Sequence, residues 1–217
     1  MLPILKNELK YYFKNYNEIS YIYGFFVLLI WIIPLSLRQN SDVLHELAPA
    51  TFWVAILTSI SLGTMNLFQR DADSGTLEIY PQLSTSLYSV MLAKWLAFYL
   101  VILPPMLCII PVFLGLEGAV TAEWPRYALA MAAGTAAISI LSSLASVLTV
   151  GLERARAVTM VIILPLAAPI IIFGGDYLRQ AATTSLWSPS LMFVIAFSIF
   201  LLPILCLAGA GCIRQSQ

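Results

Sequence analysis

The chain has 217 residues, 60% of them apolar and only 10% charged, with eleven bases balancing eleven acids and a mean hydropathy of +0.90. A water-soluble domain runs about 45–50% apolar and about 25% charged, so composition points instead to an integral membrane protein. Zero net charge also argues against a basic face for nucleic acid.

In chain order, residues 1–17 read as a separate element. Leu5, Leu9, Tyr12, Phe13 and Tyr16 recur at three- and four-residue spacing, with Lys6, Lys10 and Lys14 on another flank. That pattern predicts an interfacial elbow helix, its bases turned toward anionic headgroups. Six apolar stretches follow, near 19–37, 50–68, 90–116, 127–150, 158–174 and 191–213. Each approaches the roughly 20 residues a helical span requires, and solid apolar runs do not suit an alternating β-barrel. The first run is longer than a signal-peptide core and lacks a small-residue cleavage site, so it is expected to remain as an anchor.

The loop 38–49 carries Asp42, the single His45 and Glu46. A zinc or haem site needs further ligands at suitable spacing, so His45 reads as a solvated loop residue. Stretch 127–150 is rich in small residues, among them Gly134, Ala137, Ser139, Ser142, Ser143, Ala145 and Ser146, which suit close helix packing. Ser142 and Ser143 lack a histidine or lysine at matching depth, so neither reads as a nucleophile. Pro104, Pro105, Pro111, Pro165, Pro169 and Pro203 punctuate three spans and predict kinks or local unwinding. Cys108, Cys206 and Cys212 all fall inside spans, without CxxC spacing, and read as small core residues. Lys94 is expected to snorkel out of the third span. Buried mid-membrane acids, the mark of ion-coupled carriers, are missing from the spans, which favours an energy source outside the membrane.

Bases set the orientation. With the N-terminus inside, Lys6, Lys10, Lys14, Arg70, Lys94, Arg154, Arg156 and Arg214 lie inside, against Arg38, Arg126 and Arg179 outside. This asymmetry predicts that both termini and the segment 70–89 are cytoplasmic. That segment holds the densest polar cluster: Arg70, Asp71, Asp73 and Glu78, with Gly75 as a hinge and Pro81 as a stop. A short helix over 71–80 is expected, capped by Asp73 or Ser74, with Glu78 in its first turn. Its residues Arg70, Asp71, Asp73, Gly75, Thr76, Leu77, Glu78 and Pro81 form the candidate contact with a soluble partner.

Asp73-Ser-Gly-Thr-Leu-Glu78, followed by Pro81, resembles the coupling segment of type-2 ABC exporter permeases. Leu67-Phe-Gln-Arg-Asp71, Leu92-Ala-Lys-Trp-Leu-Ala97, Leu148-Thr-Val-Gly-Leu152 and Leu164-Pro-Leu-Ala-Ala-Pro169 are similar to the CcmB family, the haem exporter B permeases of cytochrome c maturation. Pro49 and Trp53 extend the likeness ahead of the second span. The resemblance implies one all-α permease domain over 1–217, with six transmembrane helices, in the bacterial inner membrane. It implies a CcmA-like ATPase, a haem-handling CcmC-like subunit, a small CcmD-like subunit and a CcmE-like haem chaperone as partners. No cofactor is expected on this chain itself: ATP acts through the ATPase and haem is carried by the partners. No Walker A sequence occurs, so the chain is expected not to be an enzyme. A permease for lipid, polysaccharide or drug is the alternative; an intramembrane enzyme would need an acid–base or metal constellation that the sequence lacks.

Overall fold

A computed structural model of the chain describes residues 2–37, 41–64, 67–80, 86–117, 124–150, 155–180 and 186–215. The helices among them are α1 (Leu2–Lys14), α2 (Asn17–Leu37), α3 (Ser41–Thr64), α4 (Gln69–Asp73), α5 (Thr76–Ile79), α6 (Leu87–Glu117), α7 (Trp124–Leu148), α8 (Ala155–Arg179) and α9 (Pro189–Gln215). No strand occurs among the described residues. In hydrocarbon each backbone amide must be satisfied within its own segment, and apolar runs of this length meet that demand as helices. Five of the helices, α3 and α6 to α9, are long and apolar enough to cross a membrane. Where the sixth span is expected, α2 runs for 21 residues, with Ile19–Ile32 as the apolar stretch among its described residues. The fold is that of an all-α, multi-pass membrane protein.

α7 occupies the centre, packed by α3, α6, α8 and α9. Its buried face consists largely of small residues, including Gly134, Ala137, Ser139, Ser142, Ser143, Ala145 and Ser146. Trp53 of α3 exploits that face: a Cβ added at Gly134 of α7, or at Gly174 of α8, would strike its indole ring. The ring, fully buried, therefore fills a notch that two glycines leave open. Polar bonds stitch neighbouring helices of the bundle. Trp95 Nε1 donates to Ser139 Oγ at 2.9 Å, Thr149 and Thr159 hydroxyls meet at 2.6 Å, and Tyr23 OH donates to the Val101 carbonyl at 2.8 Å.

The structure departs from the sequence expectations in several places. Residues 41–49 form the first turns of α3 rather than a loop. Ser41 and Asp42 are helix-starting types, and Pro49 removes one amide donor without ending the helix. The side chain of His45 lies outside the described residues. α6, α8 and α9 each run continuously through their prolines, which removes the local unwinding given as the alternative to a kink. Cys108 is exposed on α6, whereas Cys206 is buried.

Candidate functional site

Segment 69–80 does not form one capped helix. Its chain makes two short turns, α4 and α5, that meet at Gly75 with φ +69°. The amides of Ser74 and Gly75 bond back to the carbonyls of Arg70 and Ala72 at 3.1 and 3.0 Å, so the glycine closes α4 in the left-handed position glycine favours. The same residue begins α5, with no side-chain cap on its amides. Ser74 Oγ instead accompanies the turn, 3.2 Å from the Asp71 carbonyl and 2.7 Å from Thr76 Oγ1.

Beneath the turn lies a cluster of charges drawn from three helices, α1, α4 and α6. Lys94 of α6 is completely buried, and its Nζ stands 2.7 Å from both Glu8 Oε1 of α1 and Asp71 Oδ2 of α4. Arg70 reaches the other Glu8 oxygen at 3.2 Å and lies 3.8 Å from Asp71 Oδ1. Its guanidinium also stacks over Tyr11, 3.8 Å from the ring centroid, as cations do on aromatic faces. Tyr80 at the end of α5 donates its hydroxyl to Asp71 Oδ2 at 2.8 Å. Burial first, then the Asp71 charge, pushes the Tyr80 phenol well above its usual range, so it remains a proton donor. Two bases face two acids, and the cluster is neutral. Such neutrality and close geometry are what let charges survive desolvation.

This arrangement sorts the candidate residues. Asp71 and Leu77 face inward, at 5% and 6% exposure, and Arg70 spans from the turn to α1. Asp73 and Ser74 are exposed, Gly75 and Thr76 half-buried. Glu78 lies on α5 with its side chain outside the described residues, and Pro81 is outside them altogether. Ile79, which sequence reasoning passed over, stands 51% exposed beside these polar groups. Lys94 does not snorkel to water as expected, because two carboxylates meet it inside the protein. Glu8 was also missed, although a signal exists. At about 100° per residue it falls opposite Lys6, Lys10 and Lys14, as the one acid beside the apolar face of α1. Among the described residues no group of three His, Cys, Asp or Glu side chains could hold a metal ion.

A family profile described as CcmB protein matches residues 1–216. Heme exporter protein B of Escherichia coli K12 is 34% identical over 179 residues, covering 82% of this chain and 81% of the relative. The Pseudomonas aeruginosa protein of that name is 30% identical over 178 residues, 82% of this chain and 80% of its own. The Paracoccus denitrificans protein is 28% identical over 191 residues, 88% of each.

Proposed function

The chain belongs to the CcmB protein family, and on that premise we propose that it is the membrane subunit of an ATP-driven complex for haem delivery in cytochrome c maturation. In this reading a CcmA-like ATPase docks at the α4–α5 turn and hydrolyses ATP, and the permease passes the stroke into the bundle. CcmC-like and CcmD-like subunits complete the assembly, and the stroke releases a haem-loaded CcmE-like chaperone. The chain contributes no catalytic group of its own, and its place is the bacterial inner membrane.

One observation carries the proposal. The turn between α3 and α6 is pinned by the Glu8–Lys94–Asp71–Arg70 cluster while Asp73 and Ile79 stay exposed. A short, ion-pinned turn that exposes an apolar residue and an acid suits a groove on a soluble subunit, where a few buried anchors dominate binding. Its rigid base would transmit a push without folding under it.

Ile79→Asp should weaken retention of the ATPase during co-purification by roughly tenfold, as loss of an anchor does. Gly75→Val should act through the backbone alone. A Cβ there meets nothing within 4 Å, but a β-branched residue tolerates the left-handed conformation poorly. Both variants should still insert into the membrane. Full ATPase retention by both would remove the turn from the mechanism.

Orientation is tested separately. A reporter active only outside the cytoplasm should be silent when fused after Gln217 and active when fused after Asp42. The opposite pattern would place α4 and α5 on the wrong side for an ATPase.

A further inference from the structure

α1 presents different chemistry on opposite sides. Toward the bundle it turns Glu8 and the buried Tyr12, and Glu8 holds both Lys94 and Arg70. Away from it stand Lys6, Lys10 and Lys14, all exposed, at intervals of one helical turn. The helix has only one acid, and that acid is spent inward, so the outer stripe is purely cationic. Beside the stripe are Leu2, Phe13 and Tyr16, exposed at 78%, 76% and 68%. Apolar side chains flanking a row of bases fit the boundary between acyl chains and headgroups. A soluble acidic partner would match the bases but leave those three apolar groups in water.

We propose that α1 binds anionic phospholipid headgroups through Lys6, Lys10 and Lys14, and that this docking steadies the α4–α5 turn through Glu8. The link is direct. Glu8 sits on the opposite side of the helix from the bases, one side chain away from Arg70 and Asp71-bound Lys94. A helix held against the membrane keeps its carboxylate over the two cations. A helix that lifts withdraws it and leaves Asp71 alone with them. Lipid charge thereby becomes a ligand that sets the order of the turn. This holds whatever soluble subunit docks there, so its failure is distinct from failure of the assignment above.

The test is hydrogen exchange on the purified full chain in nanodiscs of phosphatidylcholine alone, or of phosphatidylcholine mixed equally with phosphatidylglycerol. Each base near an anionic surface strengthens docking about fivefold, so slowing of exchange in residues 2–14 by up to roughly a hundredfold is expected at low salt. Residues 69–80 should slow with them, and raised salt should erase both effects. The triple variant Lys6→Gln, Lys10→Gln, Lys14→Gln should exchange alike in the two lipids. Glu8→Gln should keep the lipid response of residues 2–14 and lose it at 69–80. Identical exchange of wild-type residues 2–14 in both discs would overturn the proposal and give the stripe to another partner. A response confined to 2–14 in the wild type would overturn the transmission to the turn.

Discussion

Lys94→Met is expected to lower the thermal stability of the purified protein in detergent by roughly 10 °C, the equivalent of about 3–5 kcal/mol. An exposed ion pair is worth at most about 1 kcal/mol, and Lys94 is not of that kind. Its side chain is wholly buried, and the Glu8 and Asp71 side chains that it bridges are only 13% and 8% exposed. Removing it leaves two acids for the single guanidinium of Arg70, a net charge of −1 in a desolvated place. The penalty comes from that abandoned charge more than from the lost bonds, and this gives a stringent check. Adding Asp71→Asn to Lys94→Met restores neutrality, with Glu8 still facing Arg70, and should recover most of the lost stability. The comparison is a set of melting curves in one detergent for the wild type, the single variant and the double. A single variant that melts with the wild type would show the cluster to be incidental. A double variant no better than the single would show that bonding geometry, not charge balance, sustains it.

The membrane helices were legible because the signal for them is local. Each long apolar run decides its own structure, since hydrocarbon offers no other way to satisfy a backbone amide. The charge cluster is the opposite case. Residues 8, 70, 71, 80 and 94 meet only once α1 has packed on α6, and no spacing rule links them. Lys94 read alone is a lysine near the end of a span, for which water is the natural destination; only the fold shows two carboxylates arriving first. Segment 69–80 failed for a subtler reason. Asp73, Ser74 and Gly75 are all types that begin helices, yet Gly75 is also the type that ends one. At φ +69° it ends α4 and begins α5 together, so one helix became two turns. That break is what lets Asp71 turn inward while Asp73 stays outside. The whole segment was identifiable as special from its charge, but its division into anchors and outward groups was not.

The same distinction between local preference and packing governs Gly134 and Gly174. Alanine in place of glycine stabilises a helix interior by up to about 1 kcal/mol on propensity alone, so each substitution would strengthen its own helix in isolation. In the bundle a Cβ at either position would collide with the Trp53 indole, and forcing extra atoms into a filled core costs about 1–3 kcal/mol per site. The collision outweighs the preference, because the indole is enclosed on both sides and fully buried. Gly134→Ala and Gly174→Ala should therefore each destabilise the protein, and together they should abolish recovery of a monodisperse fold. Gly24→Ala in α2 and Gly211→Ala in α9 provide the control, since a Cβ there meets nothing within 4 Å; both should be neutral or slightly stabilising. Trp53→Leu, by vacating the notch, should make Gly134→Ala tolerable while carrying the cost of its own cavity. Melting temperatures of the four single variants and the Trp53–Gly134 pair decide the matter. Equal behaviour at all four glycines would mean that helix propensity governs them. A split between the notch glycines and the open ones would mean that Trp53 fixes how closely α3, α7 and α8 approach.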